Sequence, residues 1–129
     1  MRRHLLVFAL CLASLALYVG LTFAQVGRLA YPLDDAWIHL TFARNLALRH
    51  EFAFVPGQPS AGSTSPLWAF VLAPGFLWPF GPDVWVYALG VLCLFAASAL
   101  TYRLARRLFP DAPNLAPVSA LVIALEWHL

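Results

Sequence analysis

Residues 5–24, which read LLVFALCLASLALYVGLTFA, decide the fold. The stretch contains no charged side chain, and a helix of 20 residues is about 30 Å long at about 1.5 Å per residue, which matches the hydrocarbon core of a bilayer. Residues 84–102, VWVYALGVLCLFAASALTY, are also uncharged and of spanning length. The two stretches predict an all-α, polytopic transmembrane protein, with helices 1 and 2 crossing at these positions.

The composition favours the same class. Of 129 residues, 62% are hydrophobic and 11% are charged, whereas roughly 25% charged residues are usual in soluble domains. The mean hydropathy is +0.77. A net charge of +2 is too small to indicate a nucleic-acid partner, so we expect membrane lipid as the main surroundings. Cys11 and Cys93 lie in apolar runs, where we expect small hydrophobic residues and no disulfide.

Arginine placement predicts the orientation. Basic residues precede the first stretch and follow the second, and such residues favour the cytoplasmic side of a membrane. We therefore expect a multi-pass protein of the cytoplasmic (inner) membrane, with both arginine clusters inside and residues 25–82 outside. The arginines concerned are Arg2, Arg3, Arg103, Arg106 and Arg107.

The first stretch has an alternative interpretation. Thr22, Phe23 and Ala24 form an acceptable cleavage site for a signal peptide. However, the apolar stretch is longer than the usual core of about 7–15 residues in a signal peptide, so we favour a retained anchor.

The outer loop, residues 25–82, is predicted to carry interfacial helices. Asp34 and Asp35 are suited to begin a helix that runs to about Arg49, because Asp is favoured at helix N-termini. Residues 67–82 are uncharged but short, and prolines and glycines interrupt them. We therefore expect an interfacial or re-entrant helix there, and not a crossing.

A third apolar run begins at residue 115. It is only 11 residues long when Glu126 interrupts it, which is too short for a span. We expect residues 115–129 to be the start of a truncated third helix, and the chain to be the front part of a longer polytopic protein.

The adjacent carboxylates are the main candidates for chemistry. Carboxylates near a membrane lose contact with water, which raises the pKa of such groups in general towards values useful for a general base. The alternative is that Asp34 only caps a helix. Asp35 and His39 are four residues apart and would share a helix face, which makes His39 a candidate ligand or proton partner. The alternative is a purely structural role for this histidine. Arg44 and Arg49 are candidates for binding a phosphate through forked donors, or for facing lipid headgroups.

Two blocks resemble the first outer loop of bacterial GT-C membrane glycosyltransferases, in the branch of arabinofuranosyltransferases and protein O-mannosyltransferase-like enzymes. The first is LDDAWIHLTFARNLA at residues 33–47, and the second is FAFVPGQPSAGSTSPLW at residues 52–68. Their order and spacing are similar to those of that branch, as is the flanking hydropathy. The chain, however, is much shorter than these enzymes.

The resemblance implies a sugar donor on a polyprenyl phosphate and an extracytoplasmic acceptor. Asp34 matches the catalytic carboxylate, with Asp35 as its neighbour or a metal contact, and His39 and Arg44 would bind substrate. Some GT-C enzymes use a divalent metal and others do not, so the cofactor is left open. We expect this segment to be inactive by itself. The alternative is a small non-catalytic membrane protein, or a truncated remnant, that acts as an interaction partner.

Overall fold

The structure is a computed structural model that describes residues 2–27, 31 and 35–125, with side chains from residue 9 onward. It is mainly helical, so the all-α prediction is confirmed. A short hairpin contains the two strands of the described chain. The elements are α1 (Arg2–Val26), α2 (Asp35–Arg49), β1 (Ala53–Val55), β2 (Gln58–Pro59), α3 (Pro66–Leu72), a 3₁₀ turn (Ala73–Phe76), α4 (Pro82–Leu108) and α5 (Leu115–Leu125).

The chain divides into two compact units. Tyr31–Ala88 forms one, called the loop unit here, and the chain before and after it forms the other, called the helix unit. The division falls within α4, which is one continuous helix.

Within the described part of the chain, two helices are long and apolar enough to cross a membrane: α1, over Ala9–Val26, and α4. Only 6% of the first segment and 11% of the second are buried, whereas the core helix of a soluble protein is mostly buried. With 27 residues, α4 is about 40 Å long and exceeds the roughly 30 Å hydrocarbon core. It is therefore longer than the predicted span 84–102, because its arginine-rich end continues the same helix.

Small residues form the buried contacts of the helix unit. Helix α5 packs against α1. Its alanines at spacings of four, Ala116, Ala120 and Ala124, are buried, as are Cys11 of α1 and Ser98 of α4. Small side chains allow helix backbones to approach closely, which is typical of helix packing in membranes. The 11 described residues of α5 extend about 16 Å, and the expectation that they begin a truncated third span remains a prediction.

The loop unit is built around α2. One side of this helix is buried and packs against α3, the 3₁₀ turn and β1. The strands β1 and β2 pair in antiparallel orientation around a tight turn. Gly57 takes a left-handed φ of 79° in this turn, and its N–H donates to Oε2 of Glu51 at 2.7 Å. The hairpin is thus held to the end of α2.

Residues 67–82 form no long helix. Helix α3 and the 3₁₀ turn together extend about 19 Å, which is too short to cross a bilayer, as expected. The turn lies close to α4, since a Cβ added at Gly75 would be 2.7 Å from Cδ1 of Trp85. The Nε1–H of Trp85 donates to the carbonyl of Val71 at 2.9 Å, which ties α4 to α3.

Candidate functional site

The acidic pair lies at the start of α2. Asp35 is the first residue of this helix and is exposed. Acidic residues are common in the first turn of a helix, where the backbone N–H groups have no partner within the helix. Asp34 lies outside the described residues, so the predictions that it caps α2 and that it acts as a base both remain predictions.

Tyr31 fixes the chain three residues before Asp34. Its hydroxyl donates a hydrogen bond to the carboxylate of Asp83 in the first turn of α4. Its ring packs edge-on against Trp37 and stacks with Tyr87, at centroid distances of 5.2 and 5.8 Å. Asp83 was not among the predicted site residues, because 52 positions separate it from Tyr31 and no local pattern relates the two.

His39 is buried rather than open to solvent. Only 8% of its surface is exposed, and Nδ1 lies 3.3 Å from Oγ of Ser63, which is 6% exposed. Ser63 belongs to the second sequence block and His39 to the first, so this contact joins the two blocks. A ligand would reach His39 only if the chain around Ser63 moved away. Sequence reasoning did not select Ser63.

Asn45 makes a second connection between the blocks. Its side chain is fully buried, and Nδ2 donates to the carbonyls of Ala53 and Phe54 at 2.9 and 3.1 Å. Its own carbonyl accepts from the N–H of Glu51 at 3.4 Å, just after α2 ends. Oδ1 has no hydrogen-bond partner among the described residues. Asn45 therefore holds β1 on the helix, a role that sequence reasoning missed.

Arg44 is separated from the acidic end of α2. It is exposed and lies nine residues after Asp35, which is about 13 Å along the helix axis and about 180° around it. His39, by contrast, is one turn from Asp35 on nearly the same face. The structure thus places Asp35 and His39 together along α2, and Arg44 elsewhere.

Arg44 lines a cleft of about 470 Å³ with Asn45, Leu48 and Arg49. Arg44 and Arg49 both line this cleft, and none of its lining residues in the described part of the chain is acidic. The arrangement suits an anion, because arginine binds phosphate and carboxylate oxygens through a planar fork of donors.

No metal centre is formed by the residues that the structure describes, since no group of three or more His, Cys, Asp or Glu side chains converges there. The metal contact that the resemblance implies for Asp35 remains a prediction.

Comparison with known protein families, with curated proteins and with solved structures finds no match for this chain. The similarity to GT-C enzymes therefore rests on the two sequence blocks.

Proposed function

We propose that the chain is the N-terminal part of a membrane glycosyltransferase, which transfers a sugar from a polyprenyl-phosphate donor to an extracytoplasmic acceptor. The observation that carries this proposal is that the two blocks resembling GT-C enzymes fold into one unit. His39 contacts Ser63, and Asn45 binds the backbone of Ala53 and Phe54.

The proposed chemistry begins at the acidic pair. The carboxylate of Asp34 accepts the proton of the acceptor hydroxyl, and the hydroxyl oxygen attacks the anomeric carbon of the donor. The bond from that carbon to the phosphate oxygen breaks with inversion, and the lipid phosphate leaves. Asp35 is next to the proposed base, at the N-terminus of α2, where the partial positive charge of a helix favours acidic residues.

Arg44 is too far from the acidic end of α2 to contact the leaving phosphate directly in this scheme. A leaving phosphate is only a few ångströms from the reacting carbon, whereas Arg44 lies about 13 Å along α2 from Asp35 and on the opposite side. The carboxylates are therefore the reacting groups in this proposal, and contact between Arg44 and the donor requires the donor to extend along the helix.

The proposed location is the cytoplasmic membrane, with α1 and α4 crossing it and the loop unit outside. The length and exposure of the two helices support two crossings. The shortness of α3 and its 3₁₀ turn supports the absence of a third crossing between them. Both arginine clusters then lie in the cytoplasm.

The test is sugar transfer from a polyprenyl-phosphate donor by membranes that contain the full-length form of this protein. Asp34→Asn preserves shape and capping ability but cannot accept a proton, so we expect a loss of about 10²–10⁴-fold in rate. Asp111→Asn, at an exposed turn between α4 and α5, is the matched control and should leave the rate unchanged. Near-full turnover of Asp34→Asn at equal expression would reject the catalytic assignment.

A further inference from the structure

The outward face of α2 carries three side chains of a kind found at membrane surfaces. Trp37 and Leu48 are 51% and 57% exposed, and Arg44 between them is also exposed. Spacings of seven and four residues place all three within about 40° of the helix circumference. The opposite side of the helix is packed inside the loop unit. This face is therefore largely exposed, although the ring of Trp37 also packs edge-on against Tyr31.

The cleft beside this face adds positively charged residues to it. Arg44 and Leu48 belong to both, and Arg49 adds a second guanidinium. Its volume of about 470 Å³ is in the usual range of small-molecule sites. Glu51, the acidic residue nearest to Arg49 along the chain, accepts the Gly57 N–H at the hairpin and is not a lining residue.

We propose that this cleft and face bind the phosphate headgroup of an anionic phospholipid at the bilayer surface. The two arginines would hold the phosphate oxygens, while Trp37 and Leu48 contact the boundary between headgroups and acyl chains. Tryptophan is enriched at this depth, and arginine extends from apolar surroundings to the phosphates.

A bilayer lipid fits better than the other sources of phosphate. Inorganic phosphate would use the arginines but leave Trp37 and Leu48 in water. A sugar donor in reaction at Asp35 would have its phosphate well short of the cleft, about 13 Å along the helix. The site does not depend on the proposed sugar transfer and requires only a bilayer beside the loop unit.

The experiment uses the full chain in vesicles, with Cys11 and Cys93 replaced by alanine and a fluorophore on Thr41→Cys. Thr41 lies on α2 between Trp37 and Arg44 and is half-buried. Quenching by a nitroxide on lipid headgroups, compared with quenching by soluble acrylamide, reports how deeply this face of α2 lies in the bilayer. The vesicles contain phosphatidylcholine alone, or with phosphatidylglycerol, polyprenyl phosphate or added inorganic phosphate.

We expect phosphatidylglycerol to increase headgroup quenching and to decrease acrylamide quenching. In Arg44→Gln/Arg49→Gln, the phosphatidylglycerol content needed for half of this effect should rise about fivefold for each arginine removed. Arg44→Lys/Arg49→Lys keeps the charge and should retain part of the effect, which separates lost binding from lost folding. Arg106→Gln/Arg107→Gln has the same charge change in the helix unit and should behave like the parent.

Three results would overturn the proposal. The first is equal quenching with and without phosphatidylglycerol, or an effect that survives in Arg44→Gln/Arg49→Gln. The second is full protection by inorganic phosphate alone, which would indicate a site for a soluble anion. The third is protection of the fluorophore from acrylamide by polyprenyl phosphate but not by phosphatidylglycerol, which would indicate that the cleft binds the sugar donor. None of these results depends on catalytic activity.

Discussion

The loop unit and the helix unit are stabilised by different kinds of contact. In the loop unit, directed hydrogen bonds connect distant positions, as between Asn45 and the backbone of β1 or between Trp85 and Val71. In the helix unit, the buried positions are small side chains on regular helices, such as the alanines of α5. A single substitution should therefore have local and large effects in the loop unit, and graded effects of packing in the helix unit.

The largest expected difference between the units is in access from outside the cell. With Cys11 and Cys93 replaced, a cysteine at the exposed Ser60 should react with a membrane-impermeant maleimide, whereas one at Arg106 should not. Ser63 in the same loop is unsuitable for this purpose because it is buried against His39. Labelling at Arg106 in intact cells would reject the two-crossing orientation.

Loss of the Asn45 side chain should disturb the loop unit most. Asn45→Ala leaves the buried hydrogen bond to the Ala53 carbonyl and the partly buried one to the Phe54 carbonyl unmade, and a buried carbonyl that loses its donor typically costs about 1–3 kcal/mol. Hydrogen exchange should accelerate at β1 and β2 while α5 stays protected. Gln25→Ala removes an exposed amide side chain from α1 and should change neither. Equal acceleration in both units would show that they do not respond separately.

Two glycines provide a matched comparison of intermediate size. Gly75→Ala places a methyl group 2.7–2.9 Å from Trp85 side-chain atoms near the helix backbone, and overpacking of this kind costs about 1–3 kcal/mol. Gly90→Ala meets no atom within 4 Å and should be neutral or slightly stabilising, since alanine is the better helix former. Thermal unfolding in detergent measures both. A neutral Gly75→Ala would show that the turn moves away from α4 at little cost.

The smallest effect is expected at Ser63. Ser63→Ala removes the contact with His39, which should cost about 1 kcal/mol and increase protease cleavage of the chain between β2 and α3. Ser65→Ala is the control, because its exposed side chain makes no capping hydrogen bond to α3. Unchanged cleavage in Ser63→Ala would mean that the contact does not hold the second block.

Hydropathy and charge predicted the helical elements well. The apolar runs gave α1 and α4, and α2 ends at Arg49 as expected. The hairpin was not predicted, since strands of three and two residues are too short to show an alternating pattern. It depends on Asn45 and Glu51, which lie outside the strands themselves.

The candidate site was less predictable than the fold. Asp35 and His39 were correctly placed on one helix, because a spacing of four needs only local geometry. The partners of His39 and Tyr31 lie 24 and 52 positions away, and such contacts arise only when the elements pack. Arg44 shows the converse: it was expected to bind substrate, but it lies nine positions after Asp35 along α2 and on the opposite side of the helix.

The continuity of α4 has a consequence for dissecting this protein. The boundary between the units falls at Ala88–Leu89 inside the helix, so a cut there would expose the unpaired backbone groups of a broken helix on both pieces. A separately expressed loop unit would include the first turns of α4, which supply Asp83 and Trp85, and would therefore end in the middle of this helix. The two units are therefore poor candidates for excision or exchange as modules, and chimaeras should join other sequences beyond Leu108, after the helix ends.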